Sequence, residues 1–255
     1  MGKILSISNQ KGGVGKSTTA INLSACLGEM GKNVLVIDMD PQGNTTSGLG
    51  IDKDNDENYT VYDLLVDNCS VEECILDTGF ENLSIIASNS NLAGAEIELL
   101  ELDDRENVLK NHIESIKDQY DYILIDCPPS LSILTLNAMC ASSGIIVPIQ
   151  CEYYALEGLT QILKTIDLVK ERLNNEIEIE GVVFTMFDGR NNLSSDVVAN
   201  VKENLDIRVF DTIIPRNVRL AEAPSYGMPV IEYDNRSTGA ASYRYLAQEL
   251  IQRGN

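Results

Sequence analysis

Residues 10–18 read Gln10-Lys11-Gly12-Gly13-Val14-Gly15-Lys16-Ser17-Thr18, directly after the apolar run Ile4 to Ile7 and at the head of a helical pattern that closes near Gly31. A strand, a glycine-rich loop and a helix N-terminus aim several backbone N–H groups and the positive end of a helix dipole at one spot, so polyphosphate binds there. In such a loop Lys16 reaches the β- and γ-phosphates and the Ser17 hydroxyl holds Mg²⁺. The usual spacing, GxxxxGK[ST], has glycine where this chain has Gln10, and nothing cationic beside it. Lys11 is therefore surplus to its own loop. Gly12, Gly13 and Gly15 let the loop close tightly, which leaves Lys11 on the rising limb, pointing away from the nucleotide its own loop holds and free to serve one in a second subunit.

Working outward, apolar runs alternate with amphipathic helical patterns, the mark of strand–helix–strand crossovers. Strands are expected at 3–9, 33–39, 83–87, 121–126, 144–149, 180–186 and 209–214. Their near-continuous apolar character predicts an α/β fold with a mostly parallel twisted sheet and helices on both faces, and the phosphate-binding loop after the first strand makes it one of P-loop NTPase type. The first helix carries Ala20, Leu23, Leu27 and Met30 at helical spacing, a core stripe. Residues 43–60, rich in Gly, Asn, Asp and Thr, read as a surface loop able to reorganise. Residues 96–118 read as one or two helices with charged outer faces, and the single histidine there, His112, has no partner at metal-ligand spacing, so a structural role is expected. With 255 residues and 44% hydrophobic content, one domain spanning 1–255 is expected.

Two more segments carry acids to strand ends. VLVIDMDPQGNTT places Asp38 and Asp40 at the carboxyl edge, where ligands bind in open α/β sheets, and YDYILID ends at Asp126, a hydrophobic run plus acid of Walker B type. All three converge on Mg²⁺ and the γ-phosphate. Phosphoryl transfer to water requires in-line geometry, charge neutralisation and an oriented water.

The run KGGVGKST resembles the deviant Walker A motif of the ParA/MinD group of P-loop ATPases. The blocks DPQGN (40–44), QCEYYALEGLTQ (150–161) and DTIIPRNVRLAEAPSYGMPVIEYD (211–234) make the chain similar, over essentially its whole length, to the short chromosomal ParA (Soj) partition proteins. That resemblance implies an ATPase with Mg²⁺. The lysine matching Lys11 crosses an ATP-sandwiched homodimer to the partner's phosphates, with Gly12 to Thr18 cradling the nucleotide. Asp40 positions the attacking water, while Asp38 and Asp126 hold the metal shell. Pro215, Arg216 and Asn217 border the adenine, and Arg190 and Arg219 contact DNA backbone. Because a carboxylate beside Mg²⁺ is a poor proton acceptor, slow turnover is expected, suited to a timer. The resemblance further implies nonspecific binding of double-stranded DNA in the ATP state and a ParB-type partner that stimulates hydrolysis, often through a basic N-terminal peptide.

Composition constrains these expectations. No stretch approaches the roughly 18 uninterrupted apolar residues of a membrane span, and no signal-peptide design opens the chain, so a cytoplasmic protein, nucleoid-associated in its ATP state, is expected. Six scattered cysteines without a CxxC pair argue against zinc and, in a reducing compartment, against disulfides. A net charge of −20 opposes nucleic acid as a whole, but the acids concentrate at 52–57, 72–77 and 96–106, while Arg190, Arg216, Arg219, Arg236 and Arg244 fall in the last third. Local binding should then be weak and salt-sensitive. A MinD-like membrane-switching ATPase is the alternative; it needs a basic, apolar C-terminal helix, whereas TGAASYRYLAQELIQRGN reads as a packed terminal helix. A third reading, an amidating ligase of dethiobiotin or cobyrinate type, needs a substrate motif that the sequence does not display. Lys3 already starts the nucleotide strand, so no N-terminal helix-turn-helix reader is expected.

Overall fold

The computed structural model describes residues 2–205 and 207–254. Strands β1 (Lys3–Ile7), β2 (Val34–Asp38), β3 (Ile75–Asp77), β4 (Leu83–Ile86), β5 (Tyr122–Asp126), β6 (Gly144–Gln150), β7 (Glu178–Phe187) and β8 (Val209–Pro215) form one sheet in the order β3-β4-β2-β5-β1-β6-β7-β8. Every pairing is parallel except β3 with β4. All seven expected strands are present. The eighth, β3, is three residues long, too short and too mixed to give a pattern, and it caps the sheet edge in antiparallel fashion.

The helices are α1 (Lys16–Glu29), α2 (Asn44–Gly48), α3 (Val61–Leu65), α4 (Leu92–Glu98), α5 (Val108–Ile113), α6 (Ile133–Ala141), α7 (Ala155–Arg172), α8 (Asn192–Asn204), α9 (Val218–Glu222), α10 (Val230–Tyr233) and α11 (Thr238–Arg253). Strand side chains alternate between two faces. Leu5, Ile7, Val34, Val36 and Leu124 pack with α1, α10 and α11, while Ile4, Leu35, Ile37, Ile123 and Ile125 pack with α3 to α6. A third cluster joins β6 and β7 to α7 and α8. Both faces are covered, which is why the strands read as continuous apolar runs.

Helix α1 stops at a left-handed Gly31 (φ 76°), with the Lys32 N–H closing on the Leu27 carbonyl at 3.1 Å. Ala20, Leu23 and Leu27 are core; Met30 lies just past the helix and is 37% exposed. The terminal helix α11 buries Tyr243, Leu246, Ala247 and Leu250, and the Tyr243 hydroxyl lies 3.2 Å from Thr19 Oγ1. Residues 43–60 are not a free loop throughout: they begin with α2, in which Thr45 and Thr46 are fully buried. Among the described residues no helix is long and apolar enough to cross a membrane.

Candidate nucleotide site

β1 runs into the glycine-rich loop, and Gly15, at φ 90° and N-terminal to α1, takes a conformation that a side chain would strain. The loop is pinned from outside. Thr185 Oγ1 donates to the Val14 carbonyl at 2.8 Å, and Asn9 ties the strand end to the Pro148 carbonyl at 2.8 Å while its Oδ1 accepts the Lys11 N–H at 3.0 Å. Lys16 curls back over the loop and donates to the Lys11 carbonyl at 3.2 Å. Burial lowers its pKa, against the opposing charges of Asp126 and Asp40. A half-desolvated ammonium of this kind gains from an incoming phosphate what it has lost in hydration.

A cavity of about 440 Å³ opens above the loop, walled by Gly12, Gly13, Gly15, Lys16, Ser17, Thr18 and Asp40 together with Gln42, Asn44, Pro129 and Met186. It adjoins an apolar cavity of about 200 Å³ bounded by Met186, Ile214, Leu220 and Tyr243, and by Pro215, Arg216 and Asn217. Gly15, Thr18 and Met186 line both. A polar chamber over a helix N-terminus joined to a flat apolar slot suits a nucleoside polyphosphate. Met186, with φ 52° at the junction, is a site residue that the sequence reading passed over; nothing in a methionine advertises a left-handed backbone.

The three aspartates do converge, with different environments. Asp38 and Asp126 end adjacent strands and are paired in register. Both are fully buried, and the loss of hydration raises both pKa values, helped at Asp126 by the neighbouring Asp38 and at Asp38 by Asp40. Asp126 Oδ2 accepts from Thr45 Oγ1 at 2.7 Å and Ser17 lies near enough to lower its pKa, while Oδ1 is buried without any hydrogen bond. An orphaned carboxylate oxygen beside a serine hydroxyl is the hard oxygen donor set that Mg²⁺ takes. Neither Asp38 nor Asp126 is on the cavity wall, and Asp38 differs in that its oxygens are taken up, accepting from the Thr46 N–H and hydroxyl, both at 2.8 Å, and from the Asp40 N–H at 3.2 Å. In this conformation it anchors the loop behind the metal position. Asp40 stands on the wall itself, its Oδ1 accepting from the Gln42 N–H and its carbonyl from Ser88 Oγ.

Thr45 and Thr46 are thus parts of the site that the sequence reading left in a surface loop. The usable signal was an Asn-Thr-Thr following a left-handed Gly43 directly after an acidic strand end, a helix start turned towards buried carboxylates.

Lys11 is not on the cavity wall. Its Nζ pairs with Glu152 at 2.9 Å, both side chains close to half exposed. Arg190 and Arg219 both sit at the carboxyl edge, and both are occupied: Arg190 binds Asp188 bidentately at 2.9 and 2.7 Å, and Arg219 lies 2.8 Å from Glu222 and 3.3 Å from Asp234. His112 is half-buried in a groove elsewhere, five of the six cysteines are buried with Cys69 intermediate, and no cluster of three metal-binding side chains occurs among the described residues.

A family model described as an AAA domain matches residues 2–179. The chain is 55% identical over 254 residues to "Sporulation initiation inhibitor protein Soj" of Bacillus subtilis (strain 168), covering 100% of both. It is 49% identical over 253 residues to "Chromosome-partitioning ATPase Soj" of Treponema pallidum (strain Nichols), covering 99% of this chain and 98% of the other. Among solved structures, a cobyrinic acid a,c-diamide synthase from Mycobacterium smegmatis with bound ADP and magnesium superposes with a TM-score of 0.88 at 35% identity, covering 100% of this chain and 96% of that one.

Proposed function

The chain belongs to the Soj/ParA family of chromosome-partitioning ATPases, and from that premise we propose that it is an ATP-switched, DNA-binding dimer that hydrolyses ATP slowly. The observation that carries the proposal is the divided pair of loop lysines. Lys16 is folded into the phosphate chamber, whereas Lys11 is turned out of it onto Glu152, placed to leave that partner for a second subunit's nucleotide.

Lys16 and the loop N–H groups bind the phosphates of ATP. Pro215, Arg216 and Asn217 hold the base in the apolar slot, and Ser17 and the orphaned Asp126 oxygen would hold Mg²⁺, with Asp38 orienting the Asp40 segment behind. Mg²⁺ held there would supply charge neutralisation to the phosphates. Asp40 orients water against the γ-phosphorus; the bond to the bridging oxygen breaks, giving ADP and phosphate. In the ATP dimer Arg190 and Arg219 would be doubled on one assembly and engage DNA phosphates without sequence preference. Each must first exchange a carboxylate for a phosphate, so the binding is weak in a monomer and steeply salt-dependent in a dimer. A ParB-type partner then stimulates hydrolysis and release, and the working location is the cytoplasm, on the nucleoid in the ATP state.

The test is binding to a nonspecific duplex with ATP, with ADP and with neither, at low and moderate salt, with Arg219→Ala as control. Binding confined to ATP and lost in the variant supports the reading. Absence of binding in every state, with recruitment to anionic liposomes instead, would replace it with the membrane-switching alternative.

A further inference from the structure

A second concavity, about 520 Å³ in volume, shares no residue with the nucleotide chamber. It lies between α3, the end of α4 with its 3₁₀ extension (Leu99–Glu101), and α5. Its lining is apolar at Leu65, Val66, Leu99, Leu102 and Val108, acidic at Asp67, Glu98 and Glu101, and completed by Asn111 and His112. The Tyr62 hydroxyl donates to Glu98 Oε1 at 3.0 Å and braces α3 against α4, so the groove is formed before anything enters it.

Leu102 in its lining and Ile97 and Leu100 beside it are 47%, 72% and 56% exposed, three large apolar side chains within six residues. One exposed leucine is ordinary; a run of them along an apolar groove marks an interaction surface. The same stretch is strongly acidic: Glu96, Glu98, Glu101, Asp103 and Asp104 stand between residues 96 and 104, and the base that follows, Arg105, is turned to the Leu100 carbonyl at 3.2 Å and to Glu106 at 3.4 Å. Lys110, the lysine of α5, lines a different cavity.

We propose that this groove docks a basic amphipathic helix of a partner protein, apolar face on the leucine floor and lysine or arginine side chains over the carboxylate rim. Helix-in-groove recognition requires an apolar channel walled by packed helices, and charge complementarity selects the partner. Nucleic acid and anionic lipid carry the wrong sign. A second copy of this chain meeting the groove with the same face would set its own acidic residues 96–104 against these. The surface goes beyond the nucleotide cycle, since none of its residues binds nucleotide, metal or DNA in the reading above.

The test uses the full chain with Mg²⁺ and ATP and, as probe, a fluorescein-labelled Lys/Leu peptide of about 18 residues, roughly five helical turns with the leucines on one face. Anisotropy gives the affinity and amide hydrogen exchange gives the place. Expected are protection across residues 62–67 and 92–113 and binding weakened about tenfold or more by Glu98→Lys/Glu101→Lys. The charge-matched Glu171→Lys/Glu203→Lys, on exposed positions of α7 and α8, should change affinity less than about threefold, and a Lys/Ser peptide without an apolar face should bind about tenfold more weakly. If the groove variant fails to fold, Leu102→Ser carries the same expectation. Equal weakening by the two charge-matched variants, equal binding of the Lys/Ser peptide, or protection elsewhere would overturn the proposal and leave only diffuse attraction to an acidic surface.

Discussion

Lys11 Nζ and Glu152 Oε2 of the same chain lie 2.9 Å apart, across the gap between the phosphate loop and the turn that precedes α7. On the proposed cross-subunit role, this lysine is held at home by a partner that it must release. Lys11→Ala should abolish ATP-dependent dimers. Glu152→Gln should favour them, but modestly, because so exposed a pair is worth about 1 kcal/mol or less, about fivefold in the dimerisation constant. Sedimentation with and without ATP checks both, and normal dimers in Lys11→Ala would remove the cross-subunit role.

Asp40 stands on the chamber wall, fixed by the Gln42 N–H and, through its carbonyl, by Ser88. Asp40→Ala should still bind ATP and dimerise while hydrolysis falls about 10²–10⁴-fold, the range lost when a positioned acid or base is removed. Phosphate release measured beside sedimentation separates the two steps, and wild-type turnover would take Asp40 out of the mechanism.

Burial raises the pKa of Asp38 beside Asp126, so the folded state holds protons that the unfolded chain has already given up. Stability from this pair is present at low pH and lost as pH rises through the raised pKa. In the absence of nucleotide and metal, Asp38→Asn should show a smaller loss of stability between about pH 5 and pH 8 than the parent chain, read from urea midpoints across that range. A parallel pair of curves would mean that the two carboxyls do not compete for a proton.

Much of this was legible in the residue order. The strand–loop–helix reading of 4–31 rests on local chemistry: apolar alternation, glycines with positive φ at 13 and 15, and a left-handed stop at Gly31. Strands β1, β2 and β4 to β8 announced themselves because both faces of the sheet are covered. β3 did not, being a short edge strand whose pairing with β4 is its main reason to be extended. The α2 segment misled because Thr and Asn favour loops in water. Thr45 and Thr46 become helical and buried here once Asp126 and Asp38 accept their hydroxyl and amide hydrogens, while Asn44 stays exposed.

The sequence alone determined the phosphate loop, the strand-end acids and the layer order, since each depends on neighbours in the chain or on a two- or 3.6-residue period. The tertiary structure decided what those groups do to one another. Asp38 and Asp126 lie 88 positions apart in sequence but in register on adjacent strands, and Lys11 meets Glu152 across 141. Arg190 and Arg219 each find carboxylates, and a carboxylate groove forms where three helices meet. Electrostatic energy depends on distance and burial, and both are set by the packing of distant segments rather than by local pattern.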